Sequence, residues 1–166
     1  SDLALTNDNN YLLSSSWDRS LRLWDLRTGK TTQRFIEDGH SKEILSCAIS
    51  QDGRYILSSG ADREIKLWNV KGNCKHTVKE HNHNDWVSKV RFIPTSTKTT
   101  GGQYFASVGW DGYLKIWNNQ TFNIKDSLRV HDGSINAVTV SPRGNFIVTG
   151  GKDKKVKVFD FSDVEK

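Results

Sequence analysis

A chain of 166 residues with two cysteines and 35% hydrophobic residues is long enough for one packed domain, but Cys47 and Cys74 are too few to frame a disulfide scaffold. A mean hydropathy of −0.63 with no long apolar run argues against a membrane-spanning helix and against a helical bundle with broad apolar faces. The formal charge of +5 and pI near 9.2 favour an acidic partner, RNA or an acidic protein face.

The chain opens at Ser1 in text that reads as mid-strand, contains no Met and carries no signal-like segment. It is expected to be a piece of a longer polypeptide from a reducing cytosolic or nuclear setting, with both cysteines serving as small buried hydrophobes. Four segments align with one another: 12–24, 56–68, 105–117 and 147–159. Each carries an Asp six residues before an aromatic, the pairs being Asp18 and Trp24, Asp62 and Trp68, Asp111 and Trp117, and Asp153 and Phe159. The Asp residues are 44, 49 and 42 positions apart, against about 40–45 for propeller repeats. The long middle interval is taken up by a Thr/Gly-rich loop at 95–103, after Pro94.

Inside a repeat the apolar period is two. Ile44, Cys47 and Ile49 mark one strand, 55–57 a second, 65–68 a third and 74–78 a fourth. Turns fall at Asp52-Gly53, Asp62-Arg63 and Lys71-Gly72-Asn73, and no stretch keeps a helical period. The prediction is all-β: four-stranded antiparallel blades arranged radially as one propeller fragment over 1–166, with repeats at roughly 1–36, 37–80, 81–130 and 131–166. Three blades are complete, and a fourth stops after its third strand, at Phe161. Residues 163–166 are too few for another strand, so a closed ring of seven blades is expected to need further chain.

Each repeat also collects four chemically distinct side chains: His40, Ser58, Asp62 and Trp68; His83, Ser107, Asp111 and Trp117. The end repeats are incomplete. Ser14, Asp18 and Trp24 have no preceding His, and His131, Thr149 and Asp153 meet Phe159, which has no N–H to donate. His, Ser and Asp together suggest a catalytic triad, yet a triad occurs once beside an oxyanion hole, and this set recurs in every blade. Structural hydrogen bonding explains the recurrence, so no catalytic, metal or cofactor residue is assigned. His81 and His83 lack a third ligand at metal spacing, and His76, in a strand, is expected to face solvent. Gly101-Gly102 has no following Lys or helix to make a phosphate loop. Asn119-Gln-Thr121 fits a glycosylation pattern that a cytosolic chain would not use.

Trp24-Asp25, the variants Trp68-Asn69, Trp117-Asn118 and Phe159-Asp160, and the pair Gly39-His40 make the chain similar to the WD40 repeat family over nearly all its length. The run from Ser16 through Gly29, the stretch from Asp85 to Phe92, Gly109-Trp110-Asp111 and Thr149-Gly-Gly-Lys152 further resemble the WD40 scaffolds known as receptors for activated C kinase, as blades two to five of seven. This resemblance implies a non-enzymatic, cytoplasmic adaptor seated on the small ribosomal subunit through ribosomal RNA and proteins. It also implies protein kinase C-type and other signalling partners, with no small-molecule substrate. In those proteins a docking turn reads Arg-Asp-Lys; here Ala61-Asp62-Arg63 keeps charge at one of the two positions. The docking turn of the first blade and the kinase-binding segment of the sixth lie outside this stretch.

The turns after the second strands share one rim with the loops before the first strands. On that rim Arg19, Lys42 and Arg63 are expected to be docking residues, with Lys152, Lys154 and Lys155 further round, as solvated charge or as phosphate ligands. Trp17, Trp110 and Tyr113 are partner anchors or packing against the adjacent blade. A protein-only signalling propeller, like a G-protein β subunit or a ubiquitin-ligase substrate adaptor, is the alternative.

Overall fold

The computed structural model describes residues 1–79, 81–94 and 103–161; the expected 95–103 loop and the 163–166 tail therefore lie outside the described residues, Gln103 excepted. Fifteen strands follow one another: β1 (Asp2–Leu5), β2 (Tyr11–Ser15), β3 (Leu21–Asp25), β4 (Lys30–Phe35), β5 (Ile44–Ile49), β6 (Tyr55–Gly60), β7 (Ile65–Asn69), β8 (Cys74–Val78), β9 (Val87–Ile93), β10 (Tyr104–Gly109), β11 (Tyr113–Asn118), β12 (Ile124–Arg129), β13 (Ile135–Val140), β14 (Phe146–Gly151) and β15 (Val156–Asp160). They form three four-stranded sheets and a three-stranded one, each in sequential order. All pairings are antiparallel. This is the blade arrangement expected from the repeats. No helix among the described residues is long and apolar enough to cross a membrane.

The blades join through their first strands, with β5 packed against β1 and β9, and β13 against β9. Period-two alternation explains why the middle strands bury both faces. Ile56 faces the core between the first and second sheets, while its neighbour Leu57 faces the core between the second and third. Phe105 and Ala106 divide in the same way between the second and third inter-sheet layers. Trp68 and Trp117 are fully buried, and each removes roughly 150–250 Å² from water. At about 25 cal/mol per Å² that gives about 4–6 kcal/mol before entropy losses. A register shift stands immediately before Trp24, Trp68 and Trp117. The extra residue lies in the partner strand, at Thr32, Lys75 and Lys125, and such a bulge bends the strand that carries it.

Charge also crosses the inner strands. The Asp2 carboxylate accepts from Ser46 Oγ at 2.6 Å and Arg91 Nη1 at 3.1 Å, and lies 3.2 Å from Lys89 Nζ, tying three sheets at the hub. Burial alone would raise the Asp2 pKa, but Arg91, Ser46 and Lys89 outweigh it and hold the carboxyl below its usual range. Cys47 is buried beside this group; burial and then the Asp2 charge push its thiol up to about 12. Cys74 is half-buried, and both cysteines are free.

One expectation holds only in part: His76 is half-buried, with its ring stacked on Phe122 of the next blade, centroids 3.9 Å apart. Alternation along β8 defines two faces; it does not say that a ring from the neighbouring blade will cover one of them.

Buried tetrads and the rim they support

Hydrogen-bond chemistry fixes the polarity of each tetrad. An indole N–H only donates and a carboxylate only accepts, so protons run in one direction. In the second sheet Trp68 Nε1 donates to Ser58 Oγ at 2.8 Å, Ser58 Oγ donates to His40 Nε2 at 2.7 Å, and His40 Nδ1 donates to Asp62 at 2.8 Å. The third sheet repeats this with Trp117 and Ser107 at 2.8 Å, Ser107 and His83 at 2.8 Å, and His83 and Asp111 at 3.0 Å. Both imidazoles are fully enclosed, and the Asp62 and Asp111 side chains are 3% and 7% exposed.

The carboxylates also set the backbone. Asp62 accepts from the N–H groups of Ser41 and Glu64, and Asp111 from those of Asn84 and Tyr113. One side chain thus fastens a turn tip to the loop that precedes its own sheet. Burial would raise both carboxyl pKa values, but the histidine hydrogen bonds, with the backbone donors, outweigh it and hold both low. A depressed folded-state pKa stabilises the fold above the unfolded carboxyl value of about 3.9 and loses that contribution as pH falls through the folded value. The urea midpoint of the full-length protein is therefore expected to be flat from about pH 7 to about pH 5 and to drop steeply below about pH 4; a midpoint independent of pH there would contradict this account of the carboxylates.

The end sheets differ as their residues dictate. Trp24 Nε1 donates to Ser14 Oγ at 2.9 Å, but Asp18 turns to Ser20 and to Arg22 at 3.2 Å. Those Ser20 bonds, with Ser16 and the Arg22 charge, lower its pKa to about 2 although it is open to solvent. In the fourth sheet His131 links Asp153 at 2.8 Å with Thr149 at 2.9 Å. The aromatic position is Phe159, packed against the core between the third and fourth sheets. The His131 bond and the backbone N–H groups of Lys155 and Asp132, acting against desolvation, keep Asp153 low.

Two sets of positioning residues escaped the sequence reading. Two residues before each His-paired Asp stands a glycine: Gly60, Gly109 and Gly151. A Cβ on Gly109 would lie 2.7 Å from His83 Nδ1 and 2.8 Å from Asp111 Oδ1, and one on Gly151 would lie 2.5 Å from His131 Nδ1. The first sheet, where Asp18 meets no His, has Ser16 at that place. Lining up the four Asp residues with this column exposes the glycines. The second set faces the tetrad hydroxyls across the sheet: Arg22, Lys66, Lys115 and Lys157 pair with Ser14, Ser58, Ser107 and Thr149. Lys115 is buried, and its Nζ donates to the carbonyls of His81 and Asn82 at 2.6 and 2.8 Å. It holds the loop that delivers His83.

His40, Asp62 and Glu64 bring ligand-type atoms within 4.8 Å of one another. Both His40 ring nitrogens are already engaged, however, and Glu64 pairs with Lys66 at 3.0 Å. The set is a satisfied hydrogen-bond group rather than a vacant cation cage.

On the rim above the tetrads, Arg19, Lys42, Arg63, Lys152, Lys154 and Lys155 are all exposed, and none joins an ion pair among the described residues. Exposed Glu37, Asp38, Glu43, Asp85 and Asp132 lie in the intervening loops, so the rim is a mosaic. Arg19, Arg63 and Lys154 sit at φ of 69, 67 and 63°, at one position of the same turn; the third sheet has Gly112 there, at 79°. This left-handed conformation disfavours every side chain but glycine by about 1–2 kcal/mol. Trp17 is 71% exposed. Trp110 stacks on Trp86 with centroids 4.4 Å apart, and both rings are partly open. Tyr113 is half-buried beside Lys115, whose Nζ lies 6.0 Å from its ring centroid.

Comparison with known proteins gives matches to the WD domain, G-beta repeat, at residues 1–25, 29–69, 72–118 and 122–160. Among similar curated proteins, small ribosomal subunit protein RACK1 of Drosophila melanogaster is 47% identical over 98% of this chain and 49% of its own length. Cross-pathway control WD-repeat protein 2 of Flammulina velutipes is 44% identical over 98% of this chain and 50% of its own. MST50-interacting protein 11 of Pyricularia oryzae is 43% identical over the same shares, 98% and 50%. The chain spans about half the length of these relatives.

Proposed function

Because the chain belongs to the WD40 repeat family, we propose that it is part of a non-enzymatic scaffold that docks on the small ribosomal subunit in the cytoplasm and presents its other surfaces to signalling proteins. The observation that carries this reading is the recurrent basic residue held in a left-handed turn. Arg19, Arg63 and Lys154 occupy a position where glycine is relaxed, and a strained side chain retained at an exposed tip points to use by a partner. Arginine's planar fork suits phosphate oxygens. A relative named as a small ribosomal subunit protein supports ribosomal RNA as the source of that phosphate in this proposal. Arg19, Lys42 and Arg63 form the proposed docking set, with Lys152, Lys154 and Lys155 as weaker contacts at the far end of the arc. Kinases of the protein kinase C type are proposed among the signalling partners.

The test is co-sedimentation of the full-length protein with purified small subunits across a salt series. Phosphate-directed binding should weaken steeply with salt, and the Arg19→Glu/Arg63→Glu double variant should lose about tenfold in affinity or more at low salt. Arg63→Gly should weaken docking while leaving stability equal or higher by up to about 1 kcal/mol, since it relieves the turn. Binding that ignores both substitutions would remove these residues from the interface. Absence of binding by a folded protein at low salt would discard the ribosomal reading. The exposed Trp17 and the open Trp86–Trp110 stack favour, as second reading, a propeller that binds only proteins through aromatic anchors.

A further inference from the structure

On the rim opposite the tetrad turns, the first and second sheets diverge around a cavity of about 730 Å³. Leu23, Ile49 and Ile56 line its apolar side, Tyr11 and Val70 stand at its mouth, and the turns holding Asp8 and Asp52 border it. Two links close its ends. Asn7 Nδ2 donates to the Gln51 carbonyl between the inner turns. Gln33 of β4 approaches so near to Gly72 that a Cβ there would lie 2.2 Å from Gln33 Nε2.

The strand registers show what fills the corresponding space one blade further on. Ile49 pairs with Ile56, which pairs with Trp68; in the next sheet Phe92 pairs with Phe105, which pairs with Trp117. Gly72 stands two residues before Cys74, the partner of Trp68, and Phe122 two before Ile124, the partner of Trp117. Gln33 opposes Leu23 as His76 opposes Leu67. Between the second and third sheets, Phe92 and Phe122 pack against the core, and Phe122 stacks on His76. Between the first and second sheets the same places hold Ile49, Gly72 and Gln33, and a cavity remains.

We propose that this cavity receives an aromatic side chain from a partner peptide, with an adjacent Arg or Lys of that peptide meeting the carboxylates of Asp8 and Asp52. The repeat supplies the aromatic part of the argument, because the fold already places phenylalanine rings in the equivalent space of the neighbouring blade. Charge supplies the rest. The lining holds two carboxylates against one ammonium, Lys71. Asp8 is fixed by Thr6 Oγ1 and by the backbone N–H and side-chain amide of Asn10; Asp52 is fixed by Ser50 Oγ and the Arg54 N–H, with the exposed Arg54 guanidinium 4.0 Å away, so Asp8 is the freer of the two for a partner's cation. A volume of this size lies within the usual range for ligand sites, about 300–1,000 Å³. The site is on the rim away from Arg19 and Arg63, so it stands or falls independently of ribosome docking.

The probe is a capped, fluorescein-labelled peptide with the core Gly-Phe-Arg-Gly, titrated with full-length protein by fluorescence polarisation. Saturable binding is expected, weakened about tenfold when Phe becomes Ala or Arg becomes Glu in the peptide. In the protein, Ile49→Phe installs the ring that the third sheet carries at this register, and should reduce binding to a similar extent. Val70→Arg, at a position 41% exposed, should do the same by adding a cation to the lining, with the circular dichroism spectrum checking that the variant is folded. No binding by the folded wild-type protein, or binding that ignores the peptide's Phe and both protein substitutions, overturns the proposal.

Discussion

Asp111→Ala is expected to cost the full-length protein about 3–5 kcal/mol of stability, close to the whole margin of a weakly stable domain. The carboxylate is the sole acceptor for His83 Nδ1 in its tetrad and also takes the Asn84 and Tyr113 N–H groups. Removing it strands the enclosed His83 Nδ1–H, at about 1–3 kcal/mol, and releases the turn that the Asn84 and Tyr113 bonds hold. Asp18→Ala, at the same place in the first repeat, is the internal control. The Asp18 side chain is 52% exposed and pairs with half-exposed Arg22 and Ser20, so water replaces what is lost and the cost should stay below about 1 kcal/mol. Urea denaturation of the two variants measures the contrast. Equal losses would mean that burial of the His–Asp pair is not what makes the tetrad matter.

Gly109→Ala should approach the Asp111 result by a different route. The new Cβ would sit 2.7 Å from His83 Nδ1 and 2.8 Å from Asp111 Oδ1, distances that packed atoms do not tolerate. Neither neighbour can yield without breaking the His–Asp bond, because the ring is also held from its other side by Ser107. The expected loss is about 2–4 kcal/mol, an overpacking cost plus that of the broken bond. Adding His83→Ala to Gly109→Ala should recover part of the steric component, so the two changes will be non-additive. Strict additivity in that double-mutant cycle would show that the glycine acts through something other than the histidine.

These variants also mark where sequence reasoning reached and where it stopped. The recurrence of Asp and Trp at a fixed interval named the members of each tetrad, because those residues are bound within one repeat through short, local geometry. The period-two alternation located the strands for the same reason: side chains alternate across a strand whatever lies beyond it. Gly60, Gly109 and Gly151 stand in the same alignment, but that they make room for the His–Asp pair shows only where those side chains close over them.

Repeat length, strand phase, the hydrogen-bonding set within each blade and the basic turn tips are all written in the order of residues. How one blade meets the next is settled by packing alone. His76 lies under Phe122, the Asp2 carboxylate gathers Ser46, Lys89 and Arg91 from two other sheets, and Gly72 admits Gln33 beside an unfilled cavity. Each of these depends on the summed volumes of side chains from two separate repeats and on the angle at which their sheets splay. That information is distributed over residues some 40 positions or more apart and has no period for a single sequence to display.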